Sequence, residues 1–291
     1  MTQEEFRTLT EAGTVILDGA TGSNMTKAGM EKGVSTELWI LEHPDVLMDL
    51  QKAYLEAGSQ IIYAPTFTCN PCGMKNFGKE KEIYDLNCRL VELSRKAVGD
   101  RAYVAGDITT TGKMLEPRGE MSFEELMEIY IEQVKALCDA GVDLIVAETM
   151  LSVDETAIAV EAVRQVTDLP MMCSLSVEAD GSAYFGGTAW EAVETLQELG
   201  ANAVGVNCSV GPDQLEGVVR MMKKVAKVPV IAKPNAGMPN ITESGEAVYD
   251  MEPKAFARHM HKLWEAGASI LGGCCGTTPE YIRELSAWFR R

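Results

Sequence analysis

The sequence predicts an α/β fold, a single-domain (β/α)8 TIM barrel that spans residues 1–291. Three features indicate this fold: short apolar runs that suit buried parallel strands, amphipathic helical patterns between them, and glycines that end the helices. The apolar runs cover residues 15–20, 61–67, 102–108, 142–150, 171–177, 203–209, 228–237 and 269–276. An open, doubly wound sheet is the alternative architecture.

The segment PDVLMDLQKAYLEAG shows the helical pattern clearly. Its apolar residues Val46, Leu50, Tyr54 and Ala57 recur at spacings of three and four, which places them on one face of a helix. A glycine follows this helix and four others, at positions 58, 99, 141, 200 and 267. We expect each of these glycines to adopt a left-handed backbone conformation, with a strand after it.

The composition predicts a globular protein and excludes two classes of partner. The chain has 43 acidic and 26 basic residues, a net charge of −17, and 46% hydrophobic residues. This charge repels nucleic acid and anionic lipid, so we expect neither nucleic acid nor a membrane as a partner. The sequence has no signal-peptide pattern and no apolar run long enough to span a membrane, which predicts a cytoplasmic location.

Polar side chains cluster where the predicted strands end. In a parallel barrel these carboxyl ends meet at one mouth, where active sites of this fold lie. We therefore expect residues that are far apart in the sequence to become neighbours there. They are Asp18, Thr66, Asp107, Glu148, Asn207, Cys208, Asn235, Cys274 and Cys275.

Three of these residues are cysteines, and they predict a zinc site. Cys208 ends the sixth run, while Cys274 and Cys275 lie among glycines at the end of the eighth. Zinc binds thiolates tetrahedrally, and a site with only three protein ligands keeps one position open for a substrate. The alternatives for the adjacent pair are a strained vicinal disulfide or two buried small apolar side chains.

The remaining cysteines and all three histidines are weaker candidates. Cys69 and Cys72 form an isolated C-x-x-C pattern that we interpret as incidental loop thiols. Three more cysteines fall in apolar segments that we expect to form the core: Cys88, Cys138 and Cys173. The histidines fall in or beside helices that we expect on the outside of the barrel: His43, His259 and His261.

A zinc ion held by three thiolates is a poor Lewis acid for hydrolysis but can activate an incoming thiol for attack on a methyl group. Asp107 and Glu148 then suit the ammonium group of an amino-acid substrate, and structural salt bridges are the alternative role for them. Backbone amides of the DGATG turn, which begins at Asp18, suit a substrate carboxylate, although a plain tight turn has the same sequence. We include Asp18 among the substrate-binding residues.

Several segments together resemble one family. They are LDGATGS (17–23), TELW (36–39), GDITTTG (106–112), AET (147–149), GVNCSVGP (205–212), PNAGMP (234–239) and GGCCGTTPEYI (272–282). The chain resembles the homocysteine S-methyltransferase family almost from end to end, most closely the homocysteine-binding module of cobalamin-dependent methionine synthase. The resemblance implies a zinc-dependent methyltransferase that converts homocysteine to methionine on a (β/α)8 barrel.

The same resemblance implies roles for individual residues. Cys208, Cys274 and Cys275 would hold Zn2+ and so form the catalytic centre, and Asp107 and Glu148 would bind the homocysteine amino group. Gly19, Ala20, Thr66 and Phe67 would surround the homocysteine carboxylate. Asn207 and Asn235 would lie beside the metal, with Asn235 able to occupy its open position. One departure from the family pattern, Ala64-Pro65, removes a backbone donor after the second strand.

The methyl donor is not written in this sequence. Folate, cobalamin and reactivation modules are not recognisable in it, so we expect a separate methylated corrinoid protein as the donor. S-methylmethionine, S-adenosylmethionine, a betaine-like compound and methylfolate are the alternative donors. Two rival functions are a noncatalytic zinc- or thiol-binding subunit and a barrel glycoside hydrolase that uses the paired acids.

Overall fold

Eight parallel strands form a closed ring in the computed structural model, which describes residues 1–242 and 247–289. The strands are β1 (Val15–Ile16), β2 (Ile61–Tyr63), β3 (Tyr103–Ile108), β4 (Leu144–Met150), β5 (Met171–Leu175), β6 (Ala203–Asn207), β7 (Val230–Lys233) and β8 (Ala268–Leu271). Each strand pairs with its neighbours in chain order from β2 to β8, and β8 pairs with β1. A parallel bridge between Leu17 and Ile61 closes the ring. The predicted barrel is confirmed, and the open-sheet alternative is wrong.

Helices connect the strands and surround them. Those within the described residues are α1 (Gln3–Glu11), α2 (Gly22–Lys27), α3 (Thr36–Glu42), α4 (Pro44–Ala57), α5 (Pro71–Met74), α6 (Ile83–Val98), α7 (Phe123–Asp139), α8 (Val153–Val166), α9 (Ala189–Glu198), α10 (Glu216–Val225), α11 (Pro253–Ala266) and α12 (Pro279–Ala287). A short antiparallel ribbon, Asn240–Ile241 with Ala247–Val248, lies in the loop after β7. None of the helices in the described segments has the length and apolar character needed to cross a membrane.

Local sequence signals define the helix ends. The five glycines expected to end helices all have positive φ, namely 117° at Gly58, 56° at Gly99, 82° at Gly141, 98° at Gly200 and 119° at Gly267. At the other end, Ser and Thr hydroxyls cap several helices by accepting a hydrogen bond from the backbone amide three residues later. These caps include Ser122 on α7, Ser152 on α8 and Thr188 on α9.

Several strands are shorter than the apolar runs that predicted them. β6 ends at Asn207 and β8 at Leu271, because the chain leaves the sheet there and turns across the mouth of the barrel. Cys208 and Ser209 have φ values of 57° and 55°, which no regular strand contains. β7 ends at Lys233 and β8 at Leu271, so Asn235 and the Cys274–Cys275 pair lie on loops beyond these strands. We expected them at the strand ends themselves.

The barrel interior changes from apolar to polar along its axis. Its lower part is an apolar cluster that includes Val15, Leu144 and Ala203 near the starts of their strands. Phe6 of α1 belongs to this cluster, so α1 covers the amino-terminal end of the barrel. At the other end the inward-facing positions carry Asp107, Glu148 and other polar residues, and this polar layer forms the base of the mouth.

Candidate active site

Three sulfur atoms come together at the mouth of the barrel. The Sγ atoms of Cys208, Cys274 and Cys275 all lie within 4.8 Å of one another, and those of Cys208 and Cys275 are 4.0 Å apart. All three cysteines are free thiols, so the adjacent pair does not form a disulfide. Within the described residues these cysteines are the group with the geometry to hold a metal ion.

Glycines on both sides of Cys274 and Cys275 allow this turn to form. Gly276 has a φ of 84°, and a Cβ atom there would lie 2.4 Å from the ring of Tyr249. A Cβ atom at Gly273 would lie 2.6 Å from the side chain of Thr277. Thr277 in turn donates a hydrogen bond to the Cys274 carbonyl (2.7 Å). The glycines are therefore required because neighbouring groups pack where their side chains would be.

Hydrogen bonds from neighbouring strand ends hold the cysteine backbones. The Cys274 amide donates to the Pro234 carbonyl (2.7 Å), and the Cys208 amide donates to the Lys233 carbonyl (3.2 Å). The Cys275 carbonyl accepts from the Ala236 amide (2.9 Å). The end of β7 and the loop after it thus link Cys208, which follows β6, to Cys274 and Cys275, which follow β8.

The donor set fits zinc. In a regular tetrahedron with Zn–S bonds of about 2.3 Å, the sulfur atoms are about 3.8 Å apart, so small side-chain movements suffice here. The thiols also interact strongly with one another: hydrogen bonds with Cys208 and Cys274 lower the pKa of Cys275, and hydrogen bonds with Cys274 and Cys275 raise the pKa of Cys208. Three converging cysteine sulfurs match the preference of zinc for thiolate ligands.

A cavity of about 490 Å³ opens beside the sulfurs. Six of the nine predicted substrate residues line it: Asp18, Gly19, Ala20, Phe67, Asp107 and Glu148. The three cysteines line it as well. The cavity therefore places a sulfur cluster and a set of carboxylates around one volume, as the strand order predicts.

The carboxylates of this cavity are buried. Asp18, Asp107 and Glu148 are 2%, 4% and 7% exposed. Burial raises the pKa of Asp18 to about 7, and burial together with the charge of Glu148 raises the pKa of Asp107 well above its ordinary value. The pKa of Glu148 also rises because of burial. Burial thus favours the neutral forms of these acids, and a cation in the cavity would stabilise their charged forms.

Lys233, at the end of β7, is a site residue that the sequence analysis missed. Its Nζ lies 3.0 Å from Glu148 Oε1 and 3.6 Å from Asp18 Oδ1, as ion pairs. Neither oxygen accepts a well-aligned hydrogen bond from the described residues. Burial opposes the charged form of Lys233, but Glu148 and Asp18 outweigh it and raise the lysine pKa. The available signal was a lysine that directly follows the apolar residues VPVIA.

Two of the four residues expected around a substrate carboxylate already use their backbone amides. The Ala20 amide donates to Thr277 Oγ1 (3.1 Å), and the Thr66 amide donates to the Ala64 carbonyl (2.8 Å). The amides of Gly19 and Phe67 donate to no acceptor among the described residues. These two therefore remain as donors for a ligand in the cavity.

Thr66, Asn207 and Asn235 lie behind the cavity wall. Thr66 Oγ1 donates to the Asp107 carbonyl (2.8 Å) and accepts from the Asp107 amide (3.0 Å). Asn207 Nδ2 approaches Cys274 Sγ at 3.9 Å, and Asn235 Nδ2 donates to the Ser209 carbonyl (3.2 Å). The buried Oδ1 of Asn235 accepts no hydrogen bond from the described residues. These contacts position the carboxylate and sulfur groups.

Two further buried acids hold the loops around the mouth. Glu37, in the TELW segment, accepts hydrogen bonds from Ser35 Oγ (2.7 Å), the Thr68 amide (2.8 Å) and Thr68 Oγ1 (2.6 Å). Glu155 accepts from the Thr111 amide (2.8 Å) and the hydroxyl of Tyr130 (3.0 Å). Both acids fix the loops after β2 and β3, and their roles were not visible in the sequence.

The histidines lie in or beside helices as expected, but the other cysteines match the expectations only in part, because Cys88 and Cys138 are not core residues and Cys72 lies in a short helix. Cys173 is buried in β5, whereas Cys88 and Cys138 are only half-buried on their helices. Cys69 is buried in the loop after β2, and Cys72 is half-buried in α5. His259 and His261 lie on α11 and His43 lies between α3 and α4.

Comparison with known proteins identifies the family. The model of the family "Homocysteine S-methyltransferase" matches residues 15–289. The methionine synthases of Mycobacterium leprae and Mycobacterium tuberculosis are 29% and 28% identical over 288 residues; in each case the match covers 93% of this chain but only 24% of the relative. The metallated form of the Escherichia coli homocysteine methyltransferase MmuM has the same fold, with a TM-score of 0.81, 22% identity, and coverage of 97% of this chain and 98% of that one. The chain belongs to the homocysteine S-methyltransferase family.

Proposed function

We propose that this chain acts as one homocysteine-binding barrel domain and transfers a methyl group to the homocysteine thiol, with Zn2+ held by Cys208, Cys274 and Cys275. The observation that carries the proposal is the convergence of three sulfurs on a cavity that also contains buried carboxylates. Bound zinc would present the substrate sulfur as a thiolate. The thiol proton would pass to solvent, the sulfur would form the S–CH3 bond with its own electron pair, and the donor would leave with the electron pair of the broken bond to methyl.

The residues of the chain would orient the amino acid. Asp107 Oδ1 is buried and accepts no hydrogen bond from the described residues, so it suits the substrate ammonium together with Glu148. The free backbone amides of Gly19 and Phe67, which line the same cavity, suit the carboxylate of the substrate. The sulfur cluster would then receive the thiol of the same molecule.

A separate methylated corrinoid protein is the donor that we propose. Loops after five strands each present a large, exposed apolar side chain around the mouth: Val34 (44% exposed), Phe77 (39%), Met114 (42%), Tyr184 (47%) and Met238 (47%). Exposed apolar side chains on these loops favour contact with another protein. The similarity to methionine synthases, in which this chain spans about a quarter of the length, supports the same donor class.

Zinc analysis and methyl-transfer assays test this proposal. We expect about one zinc per chain, and homocysteine-dependent methionine formation from methylcobalamin that a chelator abolishes. S-methylmethionine, S-adenosylmethionine, betaine and methyltetrahydrofolate serve as competing donors. Equal or faster transfer from any of these would contradict the corrinoid proposal, whereas zinc binding without transfer from any donor would favour a noncatalytic thiol-binding subunit. Family membership disfavours the glycoside hydrolase interpretation.

A further inference from the structure

Lys233 is a buried cation inside the proposed substrate site. It is 3% exposed, and it shares the inward face of β7 with Ile231, which belongs to the apolar cluster of the barrel interior. Its side chain also lines the cavity. A lysine charge at such a position is costly unless nearby groups compensate for it.

The carboxylates around Lys233 are not equivalent. Asp18 has a partner at each oxygen, since Oδ2 accepts the Tyr63 amide (2.8 Å) while Oδ1 faces Lys233. Glu148 lies closer to Lys233, with Oε1 at 3.0 Å from Nζ, and this oxygen accepts no well-aligned hydrogen bond from the described residues. Asp107, which lines the same cavity, likewise has an Oδ1 without a hydrogen-bond partner among the described residues.

The surrounding structure holds the lysine in this place. A Cβ atom at position 272 would lie 3.2 Å from Lys233 Cγ and 2.8 Å from Leu17 Cβ, so Gly272 provides the room for the lysine stem. On another side, Lys233 Nζ lies 4.8 Å from the centroid of the Tyr63 ring, within reach of a cation–π interaction. The ammonium group therefore has a defined position between two acids and an aromatic ring.

A purely stabilising role does not account well for this arrangement. Replacing a buried ion pair by apolar side chains of similar size is often neutral or stabilising, so buried charges are weak evidence of a contribution to stability. The lysine instead acts most directly on Glu148, which is the nearer of its two acidic partners and lines the cavity. Its charge compensates the desolvation of Glu148 and fixes the direction of Oε1.

The geometry points to Lys233 as a positioning residue that orients Glu148, so that Glu148 and Asp107 together accept the ammonium group of an α-amino thiol. This inference rests on the proposed function, because it assumes that homocysteine binds in the cavity. It adds a determinant of selectivity: the carboxylate that Lys233 orients makes the site prefer thiols that carry an amino group over the same thiols without one.

Binding measurements on Lys233→Met test the inference. The zinc-loaded protein is titrated by calorimetry with homocysteine and with 4-mercaptobutanoate, which has the same thiol and carboxylate but no amino group. We expect affinity for homocysteine to fall at least about tenfold, as for loss of a charged hydrogen bond, and affinity for 4-mercaptobutanoate to change less than about threefold. Zinc content should stay at the parent value.

A double-mutant cycle with Glu148→Gln separates a specific effect from a general one. Lys233→Met should cost little further homocysteine affinity when Glu148 is already neutral, because the two residues act on the same ammonium group. Additive losses, equal losses for the two thiols, or an unchanged affinity for homocysteine would overturn the inference.

If Lys233→Met does not fold, Lys233→Gln takes its place, because glutamine can still donate a hydrogen bond but carries no charge. Failure of both variants to fold would show a structural role and overturn the inference too. Parent protein that binds neither thiol would instead contradict the proposed function.

Discussion

The side chain of Asn207 holds Thr149 by two hydrogen bonds. Asn207 Oδ1 accepts from the Thr149 amide (2.9 Å), and Nδ2 donates to Thr149 Oγ1 (2.7 Å). Thr149 has a φ of 57°, a left-handed conformation that a β-branched residue rarely adopts. Since Thr149 directly follows Glu148 and lies in an irregularity of the β4–β5 pairing, this contact helps to determine where the carboxylate lies.

Asn207→Ala should therefore destabilise the protein and weaken homocysteine binding. It removes both hydrogen bonds from a strained backbone, and we expect the free energy of unfolding in urea to fall by about 2–3 kcal/mol. In a Thr149→Gly background the same substitution should cost less, because glycine adopts positive φ without strain. An equal cost in both backgrounds would show that Asn207 does not support the Thr149 conformation.

Much of the fold follows from local signals in the sequence. Backbone sterics favour glycine at the positive-φ positions that end the helices. Burial on both faces favours continuous apolar runs in the strands. Both features can therefore be recognised in the sequence alone. The end of β6 is not visible in this way, because the left-handed turn after it occurs at Cys208 and Ser209, which are not glycines.

The site was predictable where a residue type has a characteristic chemistry. Three cysteines near strand ends indicate a metal whatever the details of the loops. Lys233 was not predictable, because a lysine after an apolar run usually reaches solvent. Its burial depends on Asp18 and Glu148, which only the closed barrel brings to it.

Cys208→Ser should remove most of the bound metal without unfolding the barrel. A serine hydroxyl is a poor zinc ligand, and the sulfur cluster lies at the mouth, outside the packed interior. We expect zinc per chain, measured by elemental analysis, to fall at least about fivefold, with circular dichroism unchanged. Cys88→Ser, at a half-buried position on α6, is the matched control and should retain the metal. Full zinc content in the Cys208 variant would refute its assignment as a ligand.

Asp18→Asn should flatten the pH dependence of stability. The folded protein holds the Asp18 proton more tightly than the unfolded chain, because burial raises the pKa of this group from 3.8 to about 7. Its contribution is thus fully present below the unfolded pKa and is lost as the pH rises towards 7, with a slope of at most about 1.4 kcal/mol per pH unit. Unfolding free energies measured between pH 4 and 7 should decline less steeply in the variant. The same slope in both proteins would show that Asp18 titrates normally.

Glu37→Ala should loosen the cavity wall formed by the loop after β2. The carboxylate of Glu37 is 3% exposed and accepts both the amide and the hydroxyl of Thr68, which lines the cavity. Its removal leaves these half-buried donors without a partner, so we expect a loss of about 2 kcal/mol in unfolding free energy. Glu42→Ala, at an exposed position on the same helix, is the matched control and should change stability by less than about 0.5 kcal/mol. Homocysteine affinity should fall only in the Glu37 variant, because the Phe67 amide, next to Thr68, lies on the loop that this acid anchors. Equal stability of the two variants would mean that water replaces the carboxylate at no cost.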